Sequence, residues 1–373
     1  MIRDAPHAAT PLARRLVERI AHEGPISVAD YMQMCLQDPE HGYYRRRMAV
    51  GSAGDFVTAP EISQVFGELI GLWCAVVWQQ MGAPQGVRLI ELGPGRGTLM
   101  RDALRAVRLV PEFRRALRGE LVESNAALER MQRTTLDDED VPLRWIGELQ
   151  RGAGPVIVIA NEFLDTLPVE QWVFRDGAWR ERGIGLDTTG RLAFVDRAPD
   201  THLTPPSNVA PPRDGDVWES RDVALAGLAG QLAALGAPMA ALFIDYGHAQ
   251  PGLGDTLQAI SEHHYTDPLQ APGEADLTSQ VDFAAAARVI GAQGLACDGP
   301  IPQAEFLGRL GIIERASRLM AANPTKAAHI EADTARLLAP GGMGTRFQVI
   351  GVRSRTLPPL PALAAVDTGA GAP

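Results

Sequence analysis

Apolar positions along the first half of the chain switch between two periods. Leu12, Leu16 and Ile20 fall at helical spacing and predict an amphipathic surface helix. Ser27 and Asp30 form a capping-box pattern ahead of Tyr31, Met34 and Cys35, and His41-Gly42-Tyr43-Tyr44 closes that helix in a glycine-marked turn. Thr58 and Glu61 repeat the capping pattern, with Pro60 in the first turn. Behind them Ile62, Phe66, Leu69, Ile70, Trp73 and Val77 line one helical face. Short apolar runs then alternate with helices. Val87–Leu92 reads as a strand, Thr98 to about Val110 as a helix, and Leu121-Val122 as a strand ending at Glu123. Leu143–Ile146 and Val156–Ala160 read as two further strands. Uninterrupted apolar runs of strand length are buried on both faces, so the pattern predicts a doubly wound α/β domain with a mostly parallel sheet.

The rhythm changes after Pro168. Residues 169–175, 178–186 and 191–196 predict short antiparallel strands, and the proline-rich stretch 197–217 predicts a loop. A helix over Ala224–Leu235, a strand over Ala240–Asp245, a helix over Ser279–Ile290 with Asp282 placed for its cap, and a strand over Arg346–Val352 follow. From about Leu357 the chain is rich in Pro, Ala and Gly and predicts a disordered tail. The chain thus divides into a helical extension and lid loop (1–60), a cofactor-binding half-domain (61–168), an antiparallel insertion (169–220), a second half-domain (221–355) and a tail (356–373).

Composition narrows the function. The 373 residues are 46% hydrophobic and carry a formal net charge of -10, without the basic stripe that nucleic-acid binders need. Arg45-Arg46-Arg47 and Arg114-Arg115 read as solvated faces, the first also as a partner contact. Cys35, Cys74 and Cys297 lie far apart, which argues against a disulfide framework or a structural zinc site and fits a cytosol-like compartment. No apolar run of membrane-spanning length occurs. His263-His264 cannot both face one metal ion from regular positions, so a loop or pocket-wall role is expected and no metal site.

The chemistry concentrates in three places. The first is Glu91-Leu92-Gly93-Pro94-Gly95-Arg96-Gly97-Thr98: a strand, an acid, alternating glycines, then a helix. Glycines serve where backbone turns sharply and approaches a ligand. A dinucleotide loop would have its third glycine where Thr98 stands. The E-x-G-x-G-x-G form instead resembles motif I of class I methyltransferases, which holds the methionine part of S-adenosyl-L-methionine; Glu91 suits an ammonium and a sulfonium and would repel phosphates. The second place is Glu123, an acid at a strand end where ribose hydroxyls are held, with Glu148 and Leu149 beyond the next strand as the adenine flank. The third is Asn161-Glu162-Phe163-Leu164-Asp165, off the end of the apolar fourth strand and facing the reactive methyl group. Asp55 and Gly54 lie in a loop able to fold over the cofactor.

These stretches, with Gly42-Tyr43-Tyr44, Gly54-Asp55-Phe56-Val57-Thr58-Ala59-Pro60-Glu61-Ile62-Ser63, Asn161 to Val169, Ile244-Asp245-Tyr246-Gly247 and Asp276-Leu277-Thr278, resemble the MidA-type family of methyltransferases in the family's order. Thr166 stands where the family usually has Ala. The resemblance implies a Rossmann-like, seven-stranded class I sheet with insertions forming a substrate-side subdomain. It also implies arginine methylation of a protein, a subunit of the NADH dehydrogenase complex in the family's mitochondrial members, which assist complex I assembly. Glu162 and Asp165 are then the catalytic candidates, as a guanidinium clamp, with Asp245 and Tyr246 lining the same crevice. The cofactor candidates are Gly54, Asp55, Glu91, Gly93, Gly95, Gly97, Thr98, Glu123, Glu148, Leu149 and Asn161. The expected compartment is the bacterial cytoplasm, or the mitochondrial matrix in a eukaryote. A small-molecule methyltransferase and a non-catalytic cofactor-binding assembly scaffold stay open, and so do the target residue and the oligomeric state, a homodimer included.

Overall fold

The computed structural model describes residues 10–46, 58–199 and 209–363. The chain forms two compact units, each assembled from separate segments. One comprises Val57–Leu164, Leu225–Ala249 and Ala286–Pro373; the other comprises Met1–Phe56, Asp165–Ala224 and Gln250–Ala285.

The first unit is built on a sheet of seven strands: β1 (Val87–Leu92), β2 (Leu117–Val122), β3 (Leu143–Ile146), β4 (Val156–Asn161), β5 (Met239–His248), β6 (Ala296–Pro302) and β7 (Phe347–Arg353). Their spatial order is β6-β7-β5-β4-β1-β2-β3. Strands β1 to β5 pair parallel, and β7 runs antiparallel to both β5 and β6. The apolar β4 sits at the centre of the sheet, every residue from Val156 to Ala160 buried, as its lack of alternation predicts.

Helix α1 (Gln64–Gln80) packs on α2 (Thr98–Ala106) at close range; a Cβ on Gly71 would lie 2.5 Å from the Ala103 carbonyl oxygen, so only glycine permits that approach. Helix α3 (Ala126–Thr135) is capped by Asn125, whose Oδ1 accepts from the Ala127 and Leu128 N–H groups. The sequence reading has no strand at β6, because a glycine and two prolines interrupt it. Nor is the segment from Leu357 to Leu363, expected to belong to a disordered tail, outside the core. Leu357, Leu360 and Leu363 are buried, Trp73 Nε1 donates to the Pro361 carbonyl at 3.0 Å, and the Leu360 N–H donates to Asp298 at 2.9 Å. Leucines spaced three apart carry this segment into the core although its composition reads as a tail.

In the second unit, helices Pro11–Glu23 and Val28–Gln37 cover an antiparallel sheet. Leu12, Leu16, Ile20, Tyr31 and Met32 are buried there together with Val169 and Ile184. Ser27 Oγ accepts from the Asp30 N–H at 3.0 Å, as the capping pattern predicts. Strands Glu170–Arg175, Ala178–Leu186 and Leu192–Pro199 match the predicted antiparallel strands, and Val217–Ser220, which begins at the last residue of the stretch expected to be loop, pairs with the first of them. The helix expected from Ser279 begins at Phe283. Ser279 is buried against Arg221 and Asp282 Oδ1 caps the helix from outside, accepting from the Ala285 N–H at 2.9 Å. His263 lies in a tight turn where Glu262 and His263 have φ of 50° and 62°, and His264 Nδ1 is 2.6 Å from the Glu262 carbonyl.

Candidate active site

Strands β1 to β4 end level with one another, and β5 runs four residues further. Leu92 of β1 is in register with Val122 of β2 and Ala160 of β4, Val122 with Ile146 of β3, and Asn161 of β4 with Ile244 of β5. Every loop leaving these carboxyl ends starts from one edge of the sheet, where doubly wound folds hold ligands. That edge collects Gly93 to Thr98, Glu123, Glu148, Leu149, Asn161, Glu162 and Asp245. Gly54 and Asp55 lie outside the described residues.

In the glycine loop, Gly93, Gly95 and Gly97 have φ of 62°, 53° and 82°, a region that side-chain-bearing residues adopt at a cost. The Gly97 N–H closes on the Pro94 carbonyl at 2.7 Å, and α2 begins at Thr98 without a side-chain cap. Glu61 braces the loop: the Thr98 hydroxyl donates to its Oε1 at 2.5 Å and Arg96 Nη1 lies 3.8 Å from its Oε2. This corrects the expected capping box. Thr58 makes no side-chain cap bond, the short helix behind it ends at Ile62, and Ser63 restarts the chain as α1. Glu91 is 2% exposed; burial pushes its carboxyl well above the usual carboxylate range, against a hydrogen bond from the Met100 backbone. Among the described residues its Oε2 has no hydrogen-bond partner.

Glu123 is half-buried at the end of β2. Its Oε1 accepts from the Asn125 N–H at 2.7 Å and its Oε2 from Gln132 Nε2 at 2.9 Å. Sequence reasoning missed Gln132. The one signal for it is a polar residue four places after Leu128, where the buried face of α3 should continue apolar. Glu148 is exposed and Leu149 half-buried on the loop after β3.

At the end of β4, Glu162 takes a positive φ of 54°, costing roughly 1–2 kcal/mol for a residue with a Cβ. The neighbouring strand end holds it there. The Glu162 N–H donates to the Ile244 carbonyl at 2.8 Å, and the fully buried Asp245 accepts from the Phe163 and Leu164 N–H groups at 3.0 and 2.7 Å. Asn161 Nδ2 donates to Glu162 Oε1 at 3.1 Å, and the buried Asn161 Oδ1 has no hydrogen-bond partner among the described residues. Asp245 therefore shapes this turn with its carboxylate.

Asp165 belongs to the other unit, where it is 4% exposed. Its carbonyl accepts from the Ser279 N–H and from Arg221 Nη2, both at 3.2 Å. Arg221, which the sequence gives no reason to single out, also donates to the Leu167, Ser279 and Gln280 carbonyls. The Tyr44 hydroxyl donates to Asp276 Oδ1 at 2.7 Å; burial, then the charges of Asp276 and Asp165, push the Tyr44 phenol well above its ordinary value. This unit thus draws Tyr44, Asp165 and Asp276 together from three distant stretches of sequence. Among the described residues no group of three or more His, Cys, Asp or Glu side chains could hold a metal ion, and no helix is long and apolar enough to cross a membrane.

A doubly wound sheet with one antiparallel strand next to its edge, a glycine loop after β1 and an acid at the end of β2 defines a class I methyltransferase fold. Comparison with known proteins goes further. Residues 69–301 match a family described as "Putative S-adenosyl-L-methionine-dependent methyltransferase". The curated "Protein arginine methyltransferase NDUFAF7, mitochondrial" of Danio rerio is 34% identical over 91% of this chain and 86% of its own length. The Homo sapiens protein of the same name is 35% identical over 92% of this chain and 83% of its own. A Burkholderia thailandensis protein crystallised with S-adenosyl-homocysteine superposes with a TM-score of 0.82 at 26% identity, covering 96% of this chain and 97% of that one. The chain belongs to this family of S-adenosyl-L-methionine-dependent methyltransferases.

Proposed function

We propose that this protein methylates arginine of a protein substrate, and that the substrate is a subunit of the NADH dehydrogenase complex. The reading is carried by Glu162, a carboxylate held in a strained turn level with the glycine loop. It is supported by relatives named protein arginine methyltransferase over nine-tenths of the chain. The names of those relatives also say mitochondrial; we assign the bacterial cytoplasm, or the mitochondrial matrix in a eukaryote, as the compartment.

The residues at the strand ends fit the cofactor. Gly93, Gly95, Gly97 and Thr98 would hold its methionine part, Glu123 the ribose hydroxyls, and Glu148 with Leu149 the adenine. Glu91 would lie under the loop, and Gly54 and Asp55, outside the described residues, are further cofactor candidates. The buried Asn161 Oδ1, without a partner among the described residues, would accept from the ammonium. When bound, S-adenosyl-L-methionine supplies an electrophilic methyl group on a sulfonium. The protein's own part is positioning. Arginine is not deprotonated at neutral pH, so Glu162 acts as an anchor: paired hydrogen bonds to its carboxylate fix the guanidinium plane and draw its charge toward the held nitrogens, and Asp165 is the second carboxylate candidate, in its own unit. The remaining nitrogen is then presented as the nucleophile, and a carboxylate accepts the proton that this nitrogen sheds.

The test has two arms. Calorimetry should give micromolar binding of S-adenosyl-homocysteine, about -8 kcal/mol. Glu162→Gln and Asp165→Asn should keep that affinity within a few fold. They should slow methyl transfer about 10–100-fold in assays with labelled cofactor and cell extract read by mass spectrometry. A substrate peptide with lysine replacing the target arginine should stay unmodified. No binding by the unmutated protein would refute the cofactor assignment. Undiminished turnover by both variants would refute the roles of these carboxylates, and labelling only of small molecules would replace the protein substrate.

A further inference from the structure

Gln132 joins the parts of the cofactor edge that the chain supplies from separate elements. It is 0% exposed, on α3. Its Nε2 donates to the Gly95 carbonyl at 2.8 Å and to Glu123 Oε2 at 2.9 Å, while its Oε1 accepts from Trp145 Nε1 on β3 at 2.9 Å. Both protons of the amide and its oxygen are therefore spent on the glycine loop, the acid ending β2 and the strand beside it. The backbone comes equally close: a Cβ on Gly97 would lie 3.5 Å from the Gln132 Cα. Only a primary amide offers two donors and an acceptor of this shape. A lysine or arginine would lack the acceptor, and a glutamate would lack both donors and set a second negative charge against Glu123.

We infer that Gln132 is a positioning residue for cofactor binding. It locks the glycine loop and Glu123 in one arrangement, so that the methionine end and the ribose end of the ligand meet surfaces that are already set. The inference rests on the reading above that Glu123 receives the ribose hydroxyls. A buried amide with three partners could equally serve folding alone, and the two roles separate in measurement. A folding role lowers thermal stability and leaves the affinity of the folded protein unchanged. A positioning role raises the dissociation constant and does so through Glu123.

The experiment is a double-mutant cycle on the full chain, with S-adenosyl-homocysteine binding read by calorimetry and melting temperature read without ligand. Gln132→Met keeps the volume and removes every hydrogen bond. It should weaken binding about tenfold or more, since the bond it deletes is to a charged acceptor. In the Glu123→Ala background the same change should cost clearly less, because part of its route is already gone. Should Gln132→Met not fold, Gln132→Glu takes its place in the cycle, keeping the acceptor for Trp145. Unchanged affinity with a lowered melting temperature overturns the inference, and so do losses that multiply independently in the double variant. Absence of binding by the unmutated protein instead removes the cofactor reading on which the inference stands.

Discussion

Glu91 stands one residue from the end of β1 with a carboxyl oxygen that none of the described residues satisfies. Its burial makes it a liability that changes with pH. The folded-state pKa is raised above the unfolded value of about 4.5, so the folded protein holds a proton that the unfolded chain gives up. Stability therefore falls as pH rises from about 4.5 toward the folded value. Glu91→Gln removes that dependence. Urea titration should find the variant about 1–2 kcal/mol more stable than the parent at pH 7, and no more stable at pH 4. The same variant should bind S-adenosyl-homocysteine more weakly if the carboxyl serves the ligand. Equal pH profiles for parent and variant would show that Glu91 titrates normally.

At the scale of elements, the sheet is tied laterally by a charge cluster that no motif announces. Glu120 on β2 accepts from Arg88 on β1 through Nε and Nη2 at 2.7 and 2.8 Å, and from Arg144 on β3 at 2.8 Å. Burial alone would raise the Glu120 pKa, but the hydrogen bonds and charges of Arg88 and Arg144 hold it below the ordinary value. A depressed folded pKa gives stability that is present above the unfolded value of 4.5 and is lost as pH falls through the folded one. Glu120→Gln should cost about 3 kcal/mol at pH 7, because two guanidinium groups are left facing a neutral amide. The difference from the parent should shrink below about pH 4. A constant difference across the acid limb would mean that the cluster contributes packing and no charge.

For the whole molecule, the discontinuity of both units has a physical consequence. The apparent cofactor half-domain, 61–168, contains β1 to β4 but none of β5, β6 and β7. A fragment ending at Pro168 would leave β4 as an open edge along six residues, five of them apolar and fully enclosed in the intact chain. Unpaired apolar edges template aggregation. Such a fragment should show no cooperative urea transition by circular dichroism and should sediment as aggregate. A cooperative transition matching that of the full chain would mean that β1 to β4 fold without their neighbours.

What the amino-acid order determined alone follows from local physics. The apolar runs at β1, β3 and β4, the glycine loop and its helix, the Ser27 cap and the antiparallel strands after Pro168 are all legible because short-range periodicity and backbone sterics decide them. The acids at strand ends were legible too, since a charged residue closing an apolar run must sit at the sheet's edge. Only the tertiary structure decided who holds whom. Gln132, Arg221 and Asp245 act through partners 9 to 82 residues away, as Asp245 does in binding the Phe163 and Leu164 N–H groups. Glu61 reads as half of a capping box and instead braces Thr98, 37 residues on. Leu357, Leu360 and Leu363 read as tail and lie in the core. In each case the deciding term is burial of a polar or apolar group against a distant neighbour, a free energy that spacing along the chain does not encode.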